Sequence, residues 1–152
     1  MKHRASLFIS SISALILAGQ AFATDGCLLS AEELSAATGR AFIAGEARKD
    51  IVTAEPQCFY AQKDKPKRGM TLRIHSQKAA SRYEATKRVT TFGSEPVDLP
   101  GVGDAAFFNG TSAGVLIGDK AVILGSLRGA GEPKVAREKV AELLRLVIER
   151  LG

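Results

Sequence analysis

The sequence AAFFNGTSAGVLIGDKAVILGSL, at residues 105–127, contains three apolar runs separated by two turn signals. Asn109-Gly110 is a strong short-range signal for a hairpin, and Asp119-Lys120 is the most plausible second reversal. The second and third runs are apolar almost throughout, which is typical of central strands covered on both faces, or covered on one face and forming a groove with the other. We therefore predict three consecutive antiparallel strands, at Ala105–Phe108, Gly114–Gly118 and Ala121–Leu127.

A second hairpin is predicted upstream of these strands. Cys58–Ala61 has the aromatic character of a strand, and Met70–His75 alternates between apolar and polar side chains. The polar segment Lys63–Gly69 between them fits a turn. The alternation predicts one buried face and one wetter face, with Arg73 and His75 on the wetter one.

Two helices are predicted from capping residues. Ser30-Ala-Glu-Glu33 is a capping box, in which each of the two end side chains can satisfy the other residue's backbone amide. Gly39 suits a left-handed ending, so this helix should cover residues 31–38. Ser76 can cap a second helix, from Gln77 to about Thr91, whose thin apolar stripe fits a surface helix lying on the sheet.

The last helix has the clearest pattern in the chain. Apolar residues recur at helical spacing from Val140 to Leu151, and Pro133 suits a position near the first turn.

The remaining segments carry weaker patterns. Phe42 and Ile43 suit an edge strand, and Gly45–Pro56 has the composition of a loop. Val97–Asp104 reads as an extended connection rich in turn residues.

Helices and short-connected strands in this order predict an α+β fold. We expect a two-layer sandwich with the order α-β-β-α-β-β-β-α. Its antiparallel sheet should have about five strands and helices packed mainly on one face. The segment 24–152 is long enough for one domain with its own core.

Residues 1–23 have the three-part layout of a bacterial signal peptide. A basic start, Lys2-His3-Arg4, precedes a mostly apolar run at residues 7–18 and the small-large-small sequence Ala21-Phe22-Ala23. We predict cleavage after Ala23 and a periplasmic or secreted protein. The run is short and diluted by serines, which disfavours an uncleaved anchor. Thr24-Asp25-Gly26 is a poor context for lipidation of Cys27.

Charge and composition constrain the partners only broadly. The net charge of +5 falls to +3 when Lys2 and Arg4 are removed with the signal peptide. A mildly basic surface favours anionic partners slightly. Export argues against a role with nucleic acid, and no second apolar run reaches the length of a membrane span.

The two cysteines, Cys27 and Cys58, predict one disulfide, because paired cysteines in an exported chain usually form a bridge. A loop of this length contributes on the order of 3–4 kcal/mol in the chain-entropy treatment. His75 is the only histidine after the signal peptide. A Cys/His metal cluster therefore cannot be assembled, and we expect neither a metal nor another cofactor.

Catalytic motifs are sparse in this sequence. His75 is the side chain best suited to act as a general base near neutral pH. The sequence contains no Gly-x-Ser-x-Gly motif, which would supply a nucleophilic serine. We therefore expect an exposed or edge-strand histidine. A hydrolase built from His75, Asp104 and a serine is the least favoured function. Gly101-Val-Gly-Asp104 lacks the Gly-Lys-Ser/Thr of a phosphate loop, so it should form a turn whose Asp104 binds backbone amides.

The basic turn between the first two predicted strands is the clearest charged patch. Lys63, Lys65, Lys67 and Arg68 could bind an anionic surface such as a phospholipid head group, lipopolysaccharide or an acidic glycan. Hairpin tips are also often simply solvated, and lysines near strand ends discourage edge pairing. The sequence favours the solvated interpretation and keeps anion binding as an alternative.

Three segments together resemble a broad group of small exported bacterial domains: Cys27-Leu-Leu-Ser-Ala-Glu-Glu-Leu-Ser-Ala-Ala-Thr-Gly39, Cys58-Phe-Tyr60 and Leu99-Pro-Gly-Val-Gly-Asp-Ala-Ala-Phe107. Many members of that group are lipoproteins or extracytoplasmic modules of unknown function, and some are similar to sensor domains of receptor kinases. The resemblance implies an α+β fold and a Cys27–Cys58 bond. This chain lacks the acylation motif of the lipoprotein members, and no ligand carries over.

The expected function is therefore binding. We predict a non-enzymatic exported domain that binds a protein partner or a small ligand of the cell envelope through one sheet face or a loop rim. The alternative is a binder of anionic surfaces that uses the tip at 63–68.

Overall fold

A computed structural model describes residues 26–89 and 94–152. Its centre is one antiparallel sheet with the strand order β1-β2-β3-β7-β6-β5-β4. The predicted α+β class and antiparallel pairing are confirmed. The strands are β1 Glu46–Lys49, β2 Pro56–Ala61, β3 Gly69–His75, β4 Val97–Asp98, β5 Ala105–Phe108, β6 Ala113–Ile117 and β7 Lys120–Gly125.

The sheet has seven strands in the described residues, so the prediction of about five was wrong. The additional strands, β1 and β4, are the short edge strands. All their residues are exposed, so they lack the apolar alternation that marks a strand in sequence. The expected edge strand at Phe42 and Ile43 is reduced to a single bridge between Phe42 and Gln62.

The helices are α1 Ala31–Thr38, α2 Ala79–Arg88 and α3 Arg137–Leu151. The capping box of α1 is present, and Gly39 ends the helix with a φ of 72°. The other two helices start later than expected. Lys78 occupies the N-cap position of α2 in place of Ser76, and Pro133 lies four residues before the start of α3. Thr91, the expected end of α2, lies outside the described residues.

The first face of the sheet carries the main core. Side chains from β2, β3, β5, β6 and β7 pack there with α1, α3 and their flanking segments. Leu34 of α1 and Leu144 of α3 are fully buried in this cluster. Arg150 of α3 also binds the Glu33 carboxylate through both terminal nitrogens, at 2.6 and 2.7 Å. The C-terminal helix is thereby fixed to the first one.

The second face has its own, smaller core beneath α2. Ala79 and Tyr83 of the helix pack against Phe107, Ala121 and Ile123 of the sheet. The helices are thus divided two and one between the faces, and the architecture is not a simple two-layer sandwich. The nearly continuous apolar runs at β6 and β7 fit this arrangement, because those strands are covered on both faces.

The predicted disulfide joins Cys27 to Cys58, with the Cα atoms 4.9 Å apart. It ties the segment before α1 to the inner side of β2. Gly45 approaches it so closely that a Cβ there would collide with the Cys58 Sγ and the Tyr60 ring. The bond is therefore enclosed by backbone that tolerates no added side-chain atom.

Candidate functional site

One row of residues crosses the second face of the sheet from β5 to β1. Its buried end lies under α2, whereas its other end is exposed to solvent. We call the part on β5, β6 and β7 the covered half, and the part on β1, β2 and β3 the open half. The register aligns the row in the order Phe107, Gly114, Ile123, Arg73, Gln57 and Arg48.

A groove of about 520 Å³ lies where the open half meets α2. Its volume is in the range typical of sites for small molecules. Strand residues form the floor, α2 forms one wall, and the loop between β1 and β2 forms the other. We call it the β3–α2 groove. Its lining comprises Asp50, Val52, Thr53, Arg73, His75, Arg82, Ala85, Thr86, Val89, Ser112 and Ile123.

His75 lies at the end of β3 and is held by a buried carboxylate. Its Nδ1 is 2.8 Å from Oε2 of Glu55, whose residue is only 5% exposed. The other Glu55 oxygen accepts the backbone N–H groups of Ser76 and Gln77, at 2.9 and 2.8 Å. An ionised carboxylate can only accept, so Nδ1 carries the proton. Among the described residues, Nε2 of His75 has no hydrogen-bond partner.

The electrostatics of Glu55 are set by these contacts. Burial opposes ionisation most strongly, but the Gln77 amide, the His75 ring and the Ser76 amide together outweigh it and lower the pKa of Glu55 to about 2. The carboxylate is therefore ionised at neutral pH. It joins the β1–β2 loop to the segment that leads into α2, because it accepts the backbone amides of Ser76 and Gln77.

The expectation of an exposed or edge-strand His75 was wrong. β3 is an inner strand, paired with both β2 and β7, and the His75 side chain is only 12% exposed. The acidic partner, Glu55, was missed because it lies in a segment read as loop. The antiparallel register of the hairpin brings these two residues together. Gln57 pairs with Arg73, so Glu55, two residues before Gln57, lies opposite His75, two residues after Arg73.

Two guanidinium groups reach the same groove from different elements. Arg73 projects from β3, and its Nε donates to the Gln57 side chain at 3.3 Å. Arg82 projects from α2, and among the described residues its guanidinium has no hydrogen bond or ion pair. The acid in the groove lining, Asp50, is hydrogen-bonded to its own loop. The Thr53 and Val52 amides, with the charge of Arg73, lower the pKa of Asp50.

The rim of the groove is apolar on both sides. Val52, on the β1–β2 loop, is 85% exposed, and Val89, at the end of α2, is 55% exposed. The neighbouring Ile51 is completely exposed. The loop holds these residues outward because Asp50 Oδ1 accepts the amides of Val52 and Thr53, at 2.9 and 2.8 Å. Val52 and Val89 therefore offer exposed aliphatic surface to any molecule that enters the groove.

The structure does not bring Asp104 to His75. Asp104 Oδ2 accepts the backbone N–H of Gly118 at 2.7 Å, in keeping with the expected binding of backbone amides. In the sheet register His75 aligns with Ala121, Leu116 and Ala105 across three strand spacings, or about 14 Å. The hydrolase arrangement of these two residues is therefore not formed.

The basic turn lies at the tip of the β2–β3 hairpin, and all four of its cations are exposed: Lys63, Lys65, Lys67 and Arg68. Lys67 and Arg68 also line a second cavity of about 440 Å³, which shares Phe59 and Thr71 with the open half. Its other basic lining includes Arg40, which is already paired with Glu132 at 3.0 Å. The tip therefore supplies the cavity's more exposed charges.

Among residues 26–89 and 94–152, no helix has the length and apolar character needed to cross a membrane. The same residues contain no group of three or more potential metal ligands. The predicted signal peptide and its cleavage after Ala23 lie outside the described residues. Comparison with family models, curated proteins and solved structures finds no match to this chain.

Proposed function

We propose that the protein is an exported, non-enzymatic domain, periplasmic or secreted, that binds a small ligand in the β3–α2 groove. One observation carries this proposal: no helix within residues 26–89 and 94–152 covers half of one sheet face, and polar side chains of that half line a groove. An antiparallel sheet can leave one face in solvent, but this half-face borders a groove of about 520 Å³. An exposed half-face bounded by a helix and an ordered loop is the arrangement of a binding surface.

The chemistry of the groove supports binding over catalysis. The Glu55–His75 pair could orient a general base, but catalysis by a covalent intermediate needs a nucleophile within hydrogen-bond reach of that base. In the described part of the chain, no hydroxyl or thiol is hydrogen-bonded to His75. The pair also has a structural role, because Glu55 holds the β1–β2 loop against the start of α2.

Two features support export. The first is the layout of residues 1–23, with a basic start, an apolar run and Ala21-Phe22-Ala23. The second is the disulfide between Cys27 and Cys58, since such bonds persist in oxidising compartments. The layout of residues 1–23 fits a chain that begins at Thr24 after processing, and the disulfide is compatible with export.

Native mass spectrometry of the protein purified from the periplasm without reduction tests this proposal. We expect a chain that begins at Thr24, lighter by two hydrogens than its reduced form, with a reproducible non-covalent adduct. An uncleaved or acylated mass would contradict the proposed processing.

A blocking variant locates the adduct. Ala85→Trp places a large ring in the groove from an exposed position of α2, whereas Ala80→Trp adds the same ring to the same helix away from the groove. The adduct should disappear from the first variant and persist in the second. A bare mass for all three proteins, or an adduct retained by Ala85→Trp, would contradict binding in this groove.

The hairpin tip supports a second candidate function, binding to anionic surfaces of the cell envelope. The observation that favours it is the cluster of four exposed cations with a single acid, Asp64, among them. Co-sedimentation with anionic vesicles tests it, and charge reversal at Lys65, Lys67 and Arg68 should abolish binding. Reversal at Arg137, Lys139 and Arg145, three exposed cations of α3, is the matched control. Association that is independent of salt would contradict this candidate.

A further inference from the structure

The charges in the β3–α2 groove are arranged for an anion. Arg73 comes from the sheet and Arg82 from the helix, so two guanidinium groups on separate elements line one cavity. Guanidinium groups bind carboxylates and phosphates through paired hydrogen bonds. Arg82 makes no hydrogen bond or ion pair with the described residues, and the hydrogen bond of Arg73 goes to the neutral Gln57 side chain at 3.3 Å, although its charge also acts on Asp50. Both retain hydrogen-bonding capacity for a ligand.

A third polar group of the groove is already positioned. Glu55 holds His75 through Nδ1, which fixes the ring and leaves Nε2 without a partner among the described residues. Both Glu55 oxygens are already engaged, one by the His75 ring and the other by two backbone amides. It therefore offers little attraction to a cationic ligand. The other carboxylate, Asp50, already accepts two amides of its own loop.

The rim points to a second requirement. Val52 and Val89 line opposite walls and are largely exposed, so a ligand between them would remove aliphatic surface from water. Ile123 adds an apolar side chain to the floor. An inorganic anion would satisfy the arginines and leave these apolar walls uncovered. The lining fits an anion that carries an apolar body.

We propose that the β3–α2 groove takes a small organic monoanion, with its carboxylate bound by Arg73 and Arg82 and its apolar body between Val52 and Val89. This inference rests on the proposed function and adds the chemical class of the ligand. A six-carbon aliphatic acid is a suitable probe. It has few atoms, so its Kd should be on the order of 1 mM.

The test is a titration of the full mature protein, followed by amide chemical shifts. The probes are hexanoate, acetate, 1-hexanol and inorganic phosphate, each at neutral pH and constant ionic strength. Hexanoate should bind at least about tenfold more tightly than each of the other three. Its shifts should be confined to the groove. Acetate or phosphate binding as tightly as hexanoate would overturn the role of the apolar walls, and hexanol binding as tightly would overturn the role of the arginines.

Three variants separate specific recognition from general attraction. Arg73→Gln and Arg82→Gln should each weaken hexanoate binding by about tenfold or more, because each removes a charged hydrogen-bond donor. Arg88→Gln removes the same charge from the exposed end of α2, outside the groove, and should change binding less than twofold. All three sites are exposed, so folding should be retained. Equal losses in all three variants would overturn the proposed contacts.

The outcome also distinguishes this inference from the proposed function. If hexanoate fails to bind but the purified protein carries an adduct that Ala85→Trp removes, the groove is a binding site for another class of ligand and this inference is wrong. If hexanoate does not bind and the purified protein carries no adduct that Ala85→Trp removes, the groove is not a ligand site. A native adduct identified as an organic acid would support both statements.

Discussion

The covered half and the open half belong to one face of one sheet, yet an aromatic residue is packed differently in each. In the covered half, Phe107 is fully buried and meets the ring of Tyr83 edge-on, with 5.1 Å between the ring centroids. In the open half, Phe59 remains partly exposed and is covered by the guanidinium of Arg48, 4.5 Å from its centroid. A helix packs one ring, and a single flexible charged side chain packs the other.

This difference follows from the dimensions of the elements. Seven strands spaced about 4.8 Å apart span roughly 29 Å. The ten residues of α2 form a helix about 15 Å long and 10 Å wide. One such helix covers about half of the face, whereas two of the described helices, α1 and α3, pack on the first face. The open half therefore results from the number and length of the helices, and its polar side chains suit that exposure.

The largest expected contrast between the halves comes from truncating the two rings. Phe107→Ala should lower the free energy of unfolding by about 3–5 kcal/mol, because it leaves a cavity between β5 and α2. Phe59→Ala is the matched change in the open half. It should lower the free energy of unfolding by about 1–2 kcal/mol, since the Phe59 ring is only partly buried. Urea unfolding of both variants measures the difference. Equal costs would mean that the open half is as well packed as the covered one.

The next effect concerns the acid that supports the open half. Glu55 has a folded-state pKa of about 2 and an ordinary value of 4.5. Its ionised form therefore contributes about 3 kcal/mol of stability above pH 4.5, and this contribution is lost as the pH falls from 4.5 towards 2. Unfolding curves between pH 7 and pH 2.5 should show this loss.

Glu55→Gln should be less stable than wild type at pH 7 and should lack most of that acid-dependent loss. Glu138→Gln, an exposed change in the first turn of α3, is the control and should keep the pH dependence of the wild type. A Glu55→Gln profile parallel to that of the wild type would show that Glu55 does not support the loop and the α2 entry through its charge.

The smallest expected effect concerns Tyr83, which holds α2 on the covered half. The variant tests whether the packing of its ring or a hydrogen bond of its hydroxyl contributes the stability. That hydroxyl is buried and has no partner among the described residues, and burial raises the pKa of Tyr83. Tyr83→Phe should therefore leave stability unchanged or raise it by up to about 1 kcal/mol. Thermal unfolding measures the change.

The matched variant is Tyr60→Phe on the first face. Tyr60 accepts the Leu29 N–H at 3.1 Å and donates to the Leu29 carbonyl at 2.8 Å. Removal of the Tyr60 hydroxyl should lower the free energy of unfolding by about 1–3 kcal/mol, because two buried backbone groups of Leu29 lose their hydrogen-bond partner. A loss of similar size for Tyr83→Phe would reveal a hydrogen bond to the Tyr83 hydroxyl.

Features set by neighbouring residues were predictable from the sequence. The capping box and Gly39 set both ends of α1, and the alternation of Met70–His75 correctly predicted one buried and one wetter face. The turn at Asn109 is stabilised by the Asn109 side chain, whose Oδ1 accepts the backbone N–H groups of Thr111 and Ser112. Each signal acts over a few residues, so no knowledge of the rest of the chain is needed.

Features set by distant residues were missed. The backbone amides of Ser76 and Gln77, just before α2, donate to Glu55, which lies more than twenty residues away in the chain. The edge strand β1 has the sequence Glu-Ala-Arg-Lys and exists because β2 offers it a partner. The groove was not predictable for the same reason. Arg73 was placed on the wetter face, but its approach to Arg82 depends on where α2 crosses the sheet.

The strand order also determines how this chain must fold. Strands β1 to β3 form one ribbon of local hairpins, and β4 to β7 form another, each with short connections. The two ribbons meet in the single pairing of β3 with β7, whose partners His75 and Ala121 are 46 residues apart. Non-local pairings form slowly because the loop must close before its contacts stabilise it. We therefore expect the closing of this seam, which α2 connects along the chain, to be a slow step in refolding.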